Sequence, residues 1–384
     1  MKIKSLSFSS YDREWQIETV NFKELNLLVG VSGVGKTRIL QALDLICDVA
    51  KDTERKLGGV NWSIEFSHLS KDYKWELETS KSSDETFELN LNNEAFEPGK
   101  AEIRYERLAE YKDGQWTKIV SRSATESSLH EKELPKLKKT ESVITLLAEE
   151  DSIAPISKAF KRFIFNETPQ RAIVSVPFDP SDISLSREES KEGRTSEIDR
   201  FKESAVDAPT VFKGFFMQKF FPSLFEEVKE TYSEIFPNVE DIRISVDQEF
   251  GNQYQLLLEI KEEYSESWVK QTQISSGMYR TLTCLIEVMS APDGSVIAID
   301  EFENSLGINC MSGLTEFILD KSPDIQFILT SHHPYIINNI PWESWQVVSR
   351  DAGSIKVKPA TEIPDLDTAS NLDKFTQLID LLEY

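Results

Sequence analysis

The chain lacks most of what would let it cross a membrane, hold a structural metal or cling to a polyanion. It has three cysteines in 384 residues, Cys47, Cys284 and Cys310, far apart, with no CxxC spacing and no nearby histidine. That excludes a zinc cage and a disulfide framework, and leaves the thiols as small buried hydrophobes. No apolar run reaches the roughly 18 to 20 residues of a membrane span, and Met1 to Ser10 has no signal-peptide core, so no membrane partner and a cytoplasmic location are expected. Positive charge is short as well: 43 Lys and Arg stand against 66 Asp and Glu, a net charge of −23. Such a field repels nucleic acid at long range and confines any contact with it to local basic patches. Candidates are Lys136, Lys138 and Lys139, then Lys158, Lys161 and Arg162, then Lys213 and Lys219, and each reads more simply as a solvated face.

What is present suits a folded domain. Hydrophobic residues make up 39% and charged residues 28%, ordinary values for a globular chain with room for one or two domains. The first 22 residues alternate apolar and polar positions as an antiparallel hairpin does, and Leu25 to Val29 reads as a buried strand. A helix follows with Ile39, Leu40, Leu43, Ile46 and Cys47 on one face. Strands with alternating aromatics are predicted from about 60 to 125, a helical stretch from Leu134 to Phe165, and an exposed mobile segment over 181–204, where serine and charge dominate. Helix returns from Phe215 to Phe236, and a hairpin over Ile242 to Ile260 turns near Gly251 and Asn252. The remaining third alternates helix and strand, with strands at Val296 to Ile299 and Phe327 to Leu329, which implies a parallel sheet. A hairpin around Trp345 to Lys358 and a helix ending at Tyr384 complete the reading, with no internal repeat.

Four strings carry chemistry. GVSGVGKT, comprising Gly30, Val31, Ser32, Gly33, Val34, Gly35, Lys36 and Thr37, matches GxxxxGK[ST] between a strand and a helix, with Arg38 next on that helix. Its glycines let backbone amides turn inward around a β-phosphate, Lys36 neutralises β and γ oxygens, and the Thr37 hydroxyl ligates Mg2+. SVIAIDEFE ends an apolar strand in adjacent carboxylates: Asp300 is placed to hold the metal, and Glu301 to reach a water in line with the γ-phosphorus. TSHHP closes another buried strand, and of its two histidines His332 is favoured as the contact to a γ-phosphate. ISSGM opens a helix whose amides, with Ser275, Ser276 and Gly277, form an anion-binding end; a plain helix cap is the simpler use of those serines.

In this order the four motifs resemble those of the ATP-binding-cassette ATPases. DEFENSL and TSHHPYIINNIP look like the SMC-related branch containing the ATPase domains of overcoming-lysogenization-defect proteins and ATPase subunits of bacterial antiphage systems. The resemblance covers the first 50 residues and about 265 to 384. It implies an α/β fold: a P-loop NTPase head with a mostly parallel core sheet, an N-terminal antiparallel β lobe and a mixed, partly helical insertion. The implied organisation is residues 1–60 and 265–384 forming the head around an insertion, 61–264. It further implies ATP and Mg2+ as ligands, Glu301 as general base, His332 as switch histidine, and Ser275 and Gly277 reaching the γ-phosphate held by a second copy. Three departures stand out: Met278 replaces the common glutamine, Gly307 replaces the usual histidine after the acidic motif, and no lid glutamine is fixed, Gln170 being the candidate. Trp15 is the nearest upstream aromatic for stacking on adenine, though core packing is its simpler use.

The expected function is thus an ATPase that dimerises around ATP and regulates a separate effector, such as a nuclease, in antiphage defence. About 240 residues separate the phosphate loop from ISSGM, far more than in a transporter ATPase, and the chain ends about 50 residues after TSHHP, too soon for a fused TOPRIM-like nuclease. No guanine-reading NKxD motif is present. The rival readings are an ATP-gated scaffold without catalysis and a DNA-repair-type ATPase.

Overall fold

The computed structural model describes residues 1–51, 57–80, 101–166, 171, 173–177, 183, 194–248, 253–363, 366, 374 and 377. Gln170, the turn at Gly251 and Asn252, and the terminal helix expected up to Tyr384 lie outside the described residues.

The N-terminal hairpin forms as the alternation requires, from β1 (Lys2–Ser10) and β2 (Trp15–Asn21), and the buried strand β3 (Leu25–Val29) leads through the glycine loop to α1 (Lys36–Lys51). A run of antiparallel strands follows: β4 (Val60–His68), β5 (Lys71–Thr79), β6 (Ile103–Lys112), β7 (Gln115–Arg122), β8 (Ser127–Leu129) and β9 (Lys132–Glu133). The stretch expected to be helical from Leu134 to Phe165 contains only α2 (Val143–Leu146) and α3 (Ala154–Lys161), and it ends in a strand, β10 (Phe163–Asn166). The reason is that Phe163 to Asn166 pair in parallel with Val296 to Ile299, and the β-favouring run Phe-Ile-Phe fits that pairing.

After β11 (Val174–Val176) comes a second correction. Residues Arg194–Ser204, placed in the exposed segment, form helix α4, and its Phe201 is buried against Phe216 and Phe221. With Ile198 packed on the same core and Glu203 paired to Arg162, this aromatic anchor docks an otherwise polar helix. The chain continues through α5 (Thr210–Phe220), α6 (Pro222–Ile235), β12 (Val239–Gln248), β13 (Tyr254–Glu262), β14 (Trp268–Lys270), α7 (Ser276–Ser290), β15 (Val296–Ile299), α8 (Ile308–Lys321), β16 (Gln326–Thr330), α9 (Pro334–Asn339), β17 (Trp345–Asp351) and β18 (Ser354–Pro359).

Fourteen strands form one sheet in the order β10-β15-β16-β3-β17-β18-β2-β1-β4-β5-β6-β7-β8-β9. From β10 to β17 every pairing is parallel; from β1 outward through β9 every pairing is antiparallel. Alternate residues of the parallel strands feed two cores. Leu27, Val29, Ile297, Ile299, Phe327 and Leu329 join the core that holds α5 to α8, whereas Leu28, Val296, Ala298 and Ile328 join the core that holds α1 and α3. Helices on both faces explain why these strands are apolar without alternation. A smaller antiparallel sheet of β11, β13, β12 and β14 lies against α5 and α6. The three cysteines are free and buried, and among the described residues no helix is long and apolar enough to cross a membrane.

The basic clusters are largely spoken for: Lys138 and Lys139 pair with Glu141 and Glu102, Arg162 with Glu203, and Lys213 is buried against Glu287 at 2.7 Å.

Candidate functional site

The glycine loop turns tightly because three glycines adopt backbone geometry that side chains resist. Gly33 and Gly35 have φ of +82° and +107°, and a Cβ on Gly30 or Gly35 would stand 2.4 Å from the Val348 carbonyl oxygen or 2.5 Å from Ile355 Cδ1. The β17–β18 hairpin therefore forms the wall against which the loop closes. Lys36 is buried and folds back, its Nζ donating to the carbonyls of Gly30 at 2.8 Å and Val31 at 3.0 Å. Burial pulls its pKa down to about 8, with Glu303 and Asp300 opposing the shift.

Because β15, β16 and β3 are parallel neighbours, the residues that leave their carboxyl ends meet along one edge, where open α/β sheets bind ligands. Thr37 Oγ1 lies 3.2 Å from Asp300 Oδ1, and Thr330 Oγ1 donates to that same oxygen at 2.6 Å. The Glu301 amide donates to Thr330 Oγ1 at 2.7 Å, so one threonine ties the two carboxylate positions together. Glu301 is exposed and sits at φ +45°, the left-handed region. Non-glycine residues in that region carry strain and cluster at functional sites. Asn304 Nδ2 donates to Glu301 Oε2 at 3.3 Å.

The two histidines separate by role. His333 Nδ1 accepts from the Tyr335 amide at 3.2 Å and caps α9. His332 is exposed, and its amide donates to Glu303 Oε1 at 2.7 Å.

The pentad is at once a helix cap and something more. Ser275 Oγ accepts from the Met278 amide at 3.3 Å, and Ser276 Oγ accepts from Arg171 Nη2 at 3.1 Å. Both serines are exposed, and neither hydrogen-bonds to residues 30–38. A Cβ on Gly277 would stand 2.8 Å from the Ser305 carbonyl oxygen, so glycine is what lets the loop after Glu301 approach α7. Four contributors escaped the sequence reading: Arg171, Thr330, Glu303 and Arg280. Arg280 is almost fully buried on α7, and its Nη2 donates to the carbonyls of Asp300 at 3.2 Å and Glu301 at 3.0 Å. Its one signal in the string is a lone cation in a mostly apolar helix that carries one other charge, Glu287.

The residues suit a nucleotide with Mg2+. Thr37 and Asp300 offer hard oxygens side by side, and among the described residues no larger cage of Asp, Glu, His and Cys exists. That agrees with a metal held by few protein oxygens and otherwise by phosphates and water. Arg38 Nη1 is buried and finds no hydrogen-bond partner among the described residues, while the guanidinium lies 5.3 Å from the centre of the Trp15 ring. Trp15 stacks on Phe8 at 5.2 Å and borders a cleft of about 490 Å³ between the β1–β2 and β17–β18 turns. Packing and an open flank thus coexist at this tryptophan.

Three solved SMC head domains are similar in outline: one bound to the C-winged helix domain of ScpA (14% identity, 93% of this chain and 98% of that chain, TM-score 0.48), one from Thermotoga maritima (12%, 94% and 99%, TM-score 0.45), and one with an extended coiled coil, bound to the C-terminal domain of ScpA, derived from Pyrococcus furiosus (13%, 100% and 100%, TM-score 0.43). At that distance they assign no role to any residue here. No curated protein matches the chain. A family model described as "AAA domain, putative AbiEii toxin, Type IV TA system" matches residues 25–338, from the first residue of β3 into α9 and through the loop, the acidic strand end and both histidines. The chain belongs to this family of AAA-domain ATPases.

Proposed function

We propose that the chain binds ATP with Mg2+ at Gly30 to Arg38 and hydrolyses it, two copies closing head to head around two nucleotides. The observation that carries this reading is the convergence of Thr37 Oγ1 and Asp300 Oδ1 at 3.2 Å beside the buried ammonium of Lys36. Lys36 exchanges its two loop carbonyls for β and γ oxygens, which converts a self-contact into a charge-assisted one. Thr37 and Asp300 would hold Mg2+, which when bound would supply charge neutralisation of the phosphates. Glu301, at the strained position after Asp300, orients and deprotonates the attacking water, and His332 donates to the γ-phosphate and responds to its departure. The purine is assigned to the cleft by Trp15, whose ring lies 5.3 Å from the Arg38 guanidinium. Ser275, Ser276 and Gly277 are exposed or half-buried at the start of α7, and they complete the partner copy's site through helix amides and hydroxyls.

One motif set per chain makes a symmetric homodimer the simplest assembly. Its role is to gate a separate effector, such as a nuclease, in bacterial antiphage defence. The family's description, which names a toxin of a toxin–antitoxin system, supports an ATPase joined to a harmful output. The test is Glu301→Gln, measured by turnover and by size in ATP. Hydrolysis is expected to fall at least about 100-fold while ATP is retained and dimer accumulates. A variant that stays monomeric in ATP and turns over undiminished rejects the reading.

A further inference from the structure

Between the start of α7 and the turn that carries Glu301 there is a direct mechanical link. Arg280 donates from one nitrogen to the carbonyls of both Asp300 and Glu301, at 3.2 and 3.0 Å. One turn earlier on the same helix, Gly277 packs against the Ser305 carbonyl. The loop between these contacts begins and ends with left-handed residues, Glu301 at φ +45° and Ser305 at φ +63°. Such conformations persist only where surrounding contacts over-determine them.

A guanidinium in this place is a poor choice for packing alone. It is 5% exposed, no carboxylate ion pair holds it, and its Nη1 is buried without a partner among the described residues. Glu303 Oε2, in the same loop, is likewise buried and unpartnered. Burying charge without full compensation costs stability, and an apolar residue would fill the space more cheaply. What the arginine supplies, and an apolar residue cannot, is a fixed orientation of two successive peptide carbonyls, and with them the direction of the Glu301 side chain.

Resting on the ATPase reading above, we propose that Arg280 is a positioning residue: it transmits the placement of the first turn of α7 to the orientation of Glu301. A turn of α7 pulled toward a partner's γ-phosphate thereby sets the base of its own site, and the two sites of a dimer fire in concert. Arg280 touches neither nucleotide nor water in this scheme.

The experiment compares Arg280→Lys and Arg280→Met with the parent by ATP calorimetry, steady-state turnover and thermal melting. Lysine keeps the charge and one of the two carbonyl bonds, whereas methionine keeps only the bulk. Turnover is expected to fall about 10-fold in Arg280→Lys and about 100-fold in Arg280→Met, in keeping with the effect of a small misplacement of a catalytic group. ATP affinity is expected to stay within about threefold. In the Glu301→Gln background, Arg280→Met should slow turnover by less than about threefold more, because both changes act on one step. A folded Arg280→Met protein with turnover within about twofold of the parent overturns the inference alone. So does a fully additive double variant. If methionine prevents folding, Arg280→Lys decides, and unaltered turnover there sinks the proposal. A parent protein that binds ATP and never turns it over overturns the ATPase reading and this inference together.

Discussion

The two halves of the large sheet obey different rules. In β3, β15 and β16 every residue is buried, whereas β4 alternates buried and half-buried positions along its whole length. The parallel strands are covered on both faces, and Gly30, Asp300 and His332 emerge just past their carboxyl ends. The antiparallel wing has one apolar face, with Trp62, Ile64, Phe66, Tyr73, Trp75 and Leu77 inward, and its buried polar cluster is tied up internally, Glu106 accepting from Trp75, Ser142 and the Val143 amide and facing Arg122 at 3.6 Å. On the proposed function one half carries the chemistry and the other only stability, and substitutions should fail in two distinguishable ways.

The sharpest break in that contrast would come from Lys36→Ala. Loss of the one buried ammonium at the loop is expected to lower ATP affinity more than about 100-fold in calorimetry, since several charge-assisted contacts go at once. Melting should hold or rise slightly, because a desolvated charge is removed. Retained affinity contradicts the assignment of the loop. Next comes Trp75→Ala in the wing. Trp75 meets Trp62 and Phe160 edge-on at 5.3 Å each and donates to Glu106 Oε1 at 3.0 Å. Its truncation should cost about 3 to 5 kcal/mol in chemical denaturation. Glu106, whose pKa burial already raises to about 7, loses one donor. ATP affinity below the melting transition is expected to change less than about threefold. A large change would mean that the wing sets the site's geometry.

This division also explains what was legible in the string. The parallel strands and the loop could be read because burial on both faces leaves short, mostly apolar runs, broken by Asn26 and bounded by Gln326, that lead to Gly30, Asp300 and His332. Strand β10 could not, since its local signal is only the three residues Phe163 to Phe165 and its partner β15 lies far along the chain. Helix α4 hid for a similar reason: Phe201 and Ile198 dock it, and the rest of its sequence has the composition of a loop. Arg280 and Thr330 escaped because their roles depend on carbonyl and carboxylate groups distant in sequence, Asp300 and Glu301 for the first and Asp300 for the second.

A smaller effect separates two adjacent residues at the same strand end. His333 caps α9 through Nδ1, so His333→Ala should cost about 1 kcal/mol of stability and change turnover less than about threefold. His332 is exposed toward the ligand edge, and His332→Ala should lower turnover about 10- to 100-fold with unchanged melting. The reverse pattern in paired melting and turnover measurements would assign the switch to His333.

The finest test is a pH dependence in which the fold and the ligand respond in opposite directions. In the nucleotide-free protein burial holds Lys36 at about 8, below its ordinary 10.5. Between those values the folded chain binds fewer protons than the unfolded chain, so stability rises with pH across that window. A phosphate group against the ammonium favours the charged form and draws the pKa upward. Below pH 8 the lysine is charged with or without ligand, and affinity is flat; above it, binding must take up a proton. ATP affinity is thus expected to fall by at most about tenfold per pH unit above pH 8, while melting of the free protein improves slightly over the same range. Calorimetry in two buffers of different ionisation enthalpy reads the proton uptake directly. Lys36→Ala should flatten the stability curve, and an affinity that stays constant from pH 8 to 10 in the parent would mean that the buried lysine is not what meets the phosphate.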